Sequence, residues 1–313
     1  TYDENRLGNN SISGTVKNID DKSITIKDTI IYTDTSNILL GSKVTCTGEV
    51  RLPSSNTNFN LFNYQNYLAS QKIYYIMNEN CYESSSNATI IYRIKSVLLN
   101  KIDEMKSGRY IKAFVLGDTD DISDEVNGNY RINGISHLFS ISGMHVSFII
   151  GLLSFIKRKE LIALILLFYL IILGFPPSMT RAIAFYIVLL INKKLKLNIK
   201  RVYLFIYLTI FMLLYNPYYV YNIGFVYSYT ISFFLLLFSE YLIDKNYLKS
   251  TFKVSMIIFI ITIPINIQNN FYLNFITPFL NLLFIPLVSF ILFPLAFITL
   301  IFPLFDNGYN LIC

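Results

Sequence analysis

The chain has 313 residues and a mass of 36.2 kDa, with 53% hydrophobic residues, only 15% charged residues and a mean hydropathy of +0.47. Soluble domains carry about 25% charge, so the composition excludes a disordered chain, a fibrous protein and an ordinary soluble enzyme. The net charge of +6 is uneven: residues 1–136 hold 14 basic and 16 acidic residues, while residues 137–313 hold 12 basic and 4 acidic, so the excess lies in the apolar half, where membrane topology explains it better than a binding patch.

In chain order, Thr1 stands where a Met would, no basic-then-apolar leader precedes the first elements, and an apolar run stops abruptly at Cys313. Either a leader segment has been removed or the sequence is a piece of a longer chain, and the abrupt end at Cys313 favours the second reading. Residues 11–52 read as strands. The run 23–27 is short and alternating, and Val44, Cys46, Gly48 and Val50 share one face opposite Thr45, Thr47, Glu49 and Arg51. Asp20-Asp21, residues 33–37 and Gly41-Ser42 mark turns. After the polar stretch 53–58, residues 61–69 read as a short helix, 72–77 as a strand and 88–93 as one more candidate strand. Five or six short strands with one inserted helix predict a small all-β, OB-like barrel over residues 1–93. Ile94, Val97, Leu98, Ile102 and Met105 then recur at helical spacing, which predicts an amphipathic helix. A second, at 110–116, ends at Gly117. The acidic loop 118–125 lacks the sixth-position glycine and twelfth-position carboxylate of a calcium loop. Residues 94–136 are thus amphipathic helices and an acidic loop.

Residues 137–313 read as a polytopic membrane α-helical bundle. Seven apolar segments run at 138–156, 161–175, 182–192, 202–215, 224–243, 254–267 and 275–305. Several fall short of the roughly 20 residues of a straight crossing, which predicts broken, re-entrant or flank-extended helices. Pro264 and Asn266 interrupt one late segment; Pro278, Asn281, Pro286, Pro294 and Pro303 interrupt the last. Lys157, Arg158 and Lys159 follow the first segment. Lys193, Lys194, Lys196, Lys200 and Arg201 follow the third, and Lys245, Lys249 and Lys253 follow the fifth. The loops 174–180, 216–223 and 268–274 contain no lysine or arginine. By the positive-inside rule the basic loops are cytoplasmic, and everything before residue 137 is extracytoplasmic. In an oxidising compartment Cys46 and Cys81 have two readings, a disulfide or two small buried hydrophobes. Cys313 has no partner in the chain.

The densest group of unusual residues is Gly134-Ile135-Ser136-His137-Leu138-Phe139-Ser140-Ile141-Ser142-Gly143-Met144-His145-Val146, which holds both histidines of the chain. Ser142 and His145, at i and i+3, share a face of a helix. Polar and small residues inside an apolar segment either pack helices closely or line a wet pathway, and both readings stand. Arg181 follows Pro176-Pro177, which predicts a short re-entrant turn. It either snorkels to lipid headgroups or turns into the bundle toward an anion such as phosphate.

These residues resemble the ComEC-type competence family. The resemblance rests on Gly117-Asp118 followed by the string at 134–146. Ser178, Arg181 and Ala182, then Gly224-Phe225-Val226-Tyr227-Ser228-Tyr229, Asn281-Leu282-Leu283-Phe284-Ile285-Pro286 and, upstream, residues 60–73 accompany it in the family's order. It implies a plasma (inner) membrane channel that passes single-stranded DNA into the cytoplasm during natural transformation. It carries Gly134, His137, Ser142, Gly143, His145 and Arg181 over as path residues, without individual roles. A DNA receptor outside, a helicase-type motor inside and a homo-oligomer are the implied partners. The N-terminal helices and the metallo-β-lactamase-like domain of many members are not in this sequence, so no catalytic residue, metal or cofactor is expected. Residues 1–95 carry 9 basic and 9 acidic residues, so no electrostatic funnel is visible. Tyr32, Tyr64, Tyr67, Tyr74 and Tyr75 could stack on bases or fill the barrel core, and an assembly role for the barrel stands beside strand binding. Two other functions compete. An intramembrane serine hydrolase would use Ser142 but lacks a histidine on a second helix. A small-molecule transporter would use the same broken helices but leaves the barrel unexplained.

Overall fold

The structure, a computed structural model, describes residues 6–20, 22–36, 38–55, 62–78, 81–85, 88–139 and 141–312. Ser140 and Cys313 lie outside them. The chain divides into two compact units, one of Thr1–Leu98 with Leu213–Ile223, the other of Leu99–Met212 with Gly224–Cys313.

The first unit holds β1 (Gly8–Asp20), β2 (Ser23–Ile26), β3 (Thr29–Tyr32), β4 (Lys43–Arg51), helix α1 (Tyr64–Ser70), β5 (Tyr75–Asn78) and β6 (Cys81–Ser85). β1 pairs antiparallel with β4 through its first half and with β2 through its second, with a register shift between Val16 and Asn18. One long bent strand therefore serves two neighbours, as barrel closure requires. The circuit β1–β2–β3–β5–β4 returns to β1, with β3 and β5 parallel. Five strands is the number of an OB-type barrel. The sixth strand follows β5 along the same edge of β4. Alternation decides which side chains go inside: Val44, Cys46 and Val50 are buried with Ile12, Val16, Ile24, Ile26, Ile31 and Met77. A disulfide joins Cys46 on β4 to Cys81, directly opposite on β6.

Two strand expectations need correction. β6 went unpredicted, and the run at 88–93 is not a strand. Helix α2 (Ile90–Asp103) begins there, because Ile90 and Ile91 continue the helical period of Ile94 and Leu98 and this outweighs their local β preference. Of its apolar stripe only Ile102 is buried, and Val97 is 66% exposed.

The loop Leu213–Ile223 folds into the barrel unit against the end of α1. The buried Asn216 amide donates to Ser70 O at 3.0 Å and to Ala69 O at 3.5 Å. Asn222 Nδ2 donates to Ser70 Oγ at 3.4 Å, and the Lys72 ammonium lies 4.0 Å above the Tyr215 ring. Two amides thus add donors to polar groups at the carboxyl end of α1, where the last helical carbonyls need partners.

The second unit is helical. Helix α3 (Gly108–Ile111) runs into a π turn at Lys112–Leu116 that stops at Gly117, in the left-handed region as its position predicts. Then come α4 (Asp124–Ile132), α5 (Gly143–Leu152), α6 (Lys159–Leu173), α7 (Pro177–Lys194), α8 (Arg201–Tyr215) and α9 (Ile223–Leu237). The short α10 (Ser239–Leu242) precedes α11 (Tyr247–Asn270), α12 (Thr277–Leu287), α13 (Phe293–Ile301) and α14 (Asp306–Ile312). Ile141, Val146, Ile162, Leu166, Leu170, Met179 and Ile183 form a core between α5, α6 and α7.

The count of seven apolar segments is too high. Among the described residues, two helical stretches are long and apolar enough to cross a membrane, Leu248–Asn269 and Thr277–Ile301. A third follows if Asp124–Ile132 and Ser136–Leu152, bent by 112°, count as one broken span. α6, α8 and α9 have 15 residues each, about 22 Å at a 1.5 Å rise, against about 30 Å of hydrocarbon. The prolines also interrupt less than expected. α11 continues through Pro264. α12 and α13 form one path joined by a π turn at Val288–Leu292, just before Pro294. The wider π register leaves room for a ring and a missing N–H that an α turn would not. Pro176-Pro177 makes a corner: Gly174 and Phe175 take left-handed backbone and Pro177 starts α7.

Candidate functional site

The sequence predicts a helix through 138–156 with Ser142 and His145 on one face. The chain instead makes a 3-10 turn at Ser136–Leu138 and starts α5 only at Gly143. Ser142 is the helix cap, with extended backbone and an Oγ that accepts the Met144 N–H at 3.3 Å. His145, in the first turn, reaches back: its Nδ1 accepts the Ser142 N–H at 3.0 Å. This is a capping box in which imidazole replaces the usual Glu or Gln. With Nδ1 accepting, the neutral ring carries its proton on Nε2. The ring is fully buried and meets Phe293 edge to face, centroids 4.3 Å apart.

Arg181 lies one turn into α7. Its guanidinium turns toward α9, where Nε donates to Ser228 Oγ at 2.7 Å and Nη1 donates to Ser232 Oγ. A Cβ on Gly143 would lie 3.2 Å from Arg181 Nη2, so glycine at the first position of α5 leaves the guanidinium its room. The Ser178 hydroxyl, three residues earlier on α7, donates to Ile141 O and ties the corner of α7 to the break before α5. None of the ion pairs among the described residues includes Arg181. Of its two sequence readings, the inward one is the geometry found. Ser142, Gly143, His145 and Arg181 therefore form one constellation, joined through Gly143.

Gly134 and His137 make their contacts elsewhere. Gly134 ends α4 with φ 70°, and a Cβ there would collide with Thr277 Oγ1. The last carbonyls of α4 are satisfied by the segment before α12. Ile132 O accepts from Tyr272 Oη and Asn274 Nδ2, both at 2.9 Å, and Asn133 O accepts from Thr277 Oγ1 at 3.2 Å. His137 is exposed, with Nδ1 3.0 Å from Gly134 O.

Ser228 and Ser232 are the residues that sequence reasoning missed. Their signal is an i, i+4 pair of hydroxyls in an apolar helix. The acidic loop makes a local ion-pair cluster, in which Lys112 Nζ meets Asp103 and Asp121, each at 2.6 Å. Burial alone would lower the Lys112 pKa, but the two carboxylates outweigh it and hold the ammonium above its ordinary range. On the barrel, Tyr75 is core while Tyr32 is 40% exposed, with its hydroxyl 3.3 Å from that of Tyr64. Burial, then this contact, pushes the Tyr64 hydroxyl up to about 12.

The family model described as Competence protein matches residues 114–312. The ComE operon protein 3 of Bacillus subtilis (strain 168) is 27% identical over 271 residues, which cover 81% of this chain and 35% of that protein. The Uncharacterized protein MG316 of Mycoplasma genitalium (strain ATCC 33530 / DSM 19775 / NCTC 10195 / G37) is 31% identical over 206 residues, 63% of this chain and 54% of that one. Its homolog in Mycoplasma pneumoniae (strain ATCC 29342 / M129 / Subtype 1) is 27% identical over the same length. The chain thus spans between a third and about half of the length of these relatives. No solved structure matches.

Proposed function

The chain belongs to the Competence protein family, and on that premise we propose that it is a channel component of the plasma (inner) membrane, passing single-stranded DNA into the cytoplasm with residues 1–136 outside. Membership supports a role in DNA uptake competence; the channel is our reading. The observation that carries it is the seating of Leu213–Ile223 on α1 of the barrel. That loop joins two apolar helices and lacks lysine and arginine over 216–223, the charge pattern of an outside loop. A barrel bound to it shares its side of the bilayer. The Cys46–Cys81 disulfide suits the same oxidising side.

A polyanion crossing a bilayer needs polar donors, because charge in hydrocarbon is costly. Arg181 with its two serine partners supplies them in the helical unit. A receptor outside, a motor inside and a second copy of the chain complete the proposal. In this reading the chain acts without catalysis: Ser142 and His145 serve as a helix cap, in which Nδ1, 3.3 Å from the Ser142 hydroxyl, accepts a backbone N–H, and Nε2, the nitrogen a Ser–His pair uses as its base, carries the ring proton. Labelled DNA taken up by cells with and without the intact chain tests the reading. Cells without it keep surface-bound label and lose the nuclease-protected label. Protected label at the normal level overturns the reading.

A further inference from the structure

We propose that Arg181, Ser228 and Ser232 form a binding site for one phosphodiester group, an inference that rests on the translocation reading above. The groups concerned sit on two helices, α7 and α9. The guanidinium has five N–H donors in a fixed fork. Nε and Nη1 donate to the two hydroxyls, and Nη2 faces the open side of Gly143. Each serine oxygen accepts from the guanidinium, so each retains its own O–H for donation. A hydroxyl in an apolar helix usually donates to the carbonyl four residues back. Ser147 and Thr209 do so, to Gly143 O and Phe205 O. Neither Ser228 nor Ser232 makes that bond among the described residues. Arg181 is half-buried and takes part in no ion pair among the described residues.

Charge supports an anion here rather than a neutral guest. A guanidinium in an apolar unit normally has a carboxylate beside it, and here it has two hydroxyls. The amino end of α5, at Gly143, adds the positive end of a helix dipole on the same side. Guanidinium nitrogens and hydroxyls are the donor types that match non-bridging phosphate oxygens. A phosphodiester carries one negative charge, which one arginine balances. It also repeats along a nucleic-acid strand, so a single such site can hand the strand on without trapping it. A phospholipid headgroup presents the same chemistry, so the test separates the two sources.

The full chain in nanodiscs of phosphatidylcholine and phosphatidylglycerol is compared with Arg181→Gln and with the double variant Ser228→Ala/Ser232→Ala, which keeps the arginine and guards against a folding defect. Two quantities are read: binding of a fluorescent 20-nucleotide oligothymidylate across a salt series, and tightly held lipid by native mass spectrometry. For a strand phosphate, Arg181→Gln weakens oligothymidylate binding about tenfold and lowers the salt slope by about one. The double variant weakens it less, and retained lipid is unchanged. For a headgroup, the slope stays and one anionic lipid is lost, which also supports the site. If both variants match the unaltered chain in slope and in lipid, the phosphodiester site is overturned. Failure of the unaltered chain to bind oligothymidylate at any salt would instead count against the translocation reading, and the lipid measurement would still decide the site.

Discussion

At the level of single residues, what the sequence shows is which side chains are out of place, not whom they meet. Ser142, His145 and Arg181 stand out because polar groups are rare in apolar segments. Their partners lie three residues away for His145 but 47 and 51 away for Arg181, and no local spacing encodes the latter pair. Gly134 is a sharper case. Its left-handed φ and the closeness of Thr277 fix glycine there, so Gly134→Ala should cost about 2 kcal/mol from strain alone. Faster hydrogen exchange at the end of α4 and over 272–277 would register it; unchanged exchange would remove that constraint. In the barrel, Arg6 holds Asp28 through two bonds of 2.7 and 3.0 Å. Burial pulls the Asp28 carboxyl upward, but the guanidinium outweighs it, and its pKa falls below the ordinary carboxylate value. The folded state therefore binds this proton less readily than the unfolded one. The stabilisation is complete above about pH 4 and is lost as pH falls through the lower, folded value. Asp28→Asn should remove about 1 kcal/mol at neutral pH, since the pair is about one-third exposed, and flatten the acid dependence of barrel hydrogen exchange.

At the level of elements, alternation made β4 legible, whereas β6 was not: Cys81–Ser85 is short and polar, and only its place along β4 makes it a strand. Helix ends followed local chemistry, as at Gly117 and Pro177. Proline proved a poorer guide inside apolar helices: α11 runs on through Pro264, and before Pro294 a π turn absorbs what a sequence pattern reads as a break. The most consequential contact invisible in the sequence is the seating of Leu213–Ile223 on the end of α1. Asn216 and Asn222 look like ordinary loop residues, yet they hold the end of α1. Asn216→Ala leaves the Ser70 carbonyl without this donor and should cost about 1–3 kcal/mol. Hydrogen exchange should then rise in α1 and the 213–223 loop together. A rise in only one of them would mean that the two do not form one cooperative unit.

At the level of the whole molecule, composition and charge alternation separated a polar amino-terminal part, residues 1–136, from an apolar remainder, whereas the two compact units divide after Leu98, with 99–136 in the helical unit and 213–223 in the barrel unit. The number of crossings was not legible in this way, since hydropathy counts apolar residues and not the continuous helix that carries them. The proposed sidedness unites these features: it puts the barrel and the loop on which it is seated outside, before a helical unit that carries an inward arginine. The direct measurement is labelling of an exposed cysteine, Lys17→Cys on β1 in a Cys313→Ser background, by a membrane-impermeant maleimide in intact cells. A barrel outside gives full labelling without permeabilisation, equal to that in opened cells. Labelling only after the membrane is opened would put the barrel in the cytoplasm and contradict the import reading.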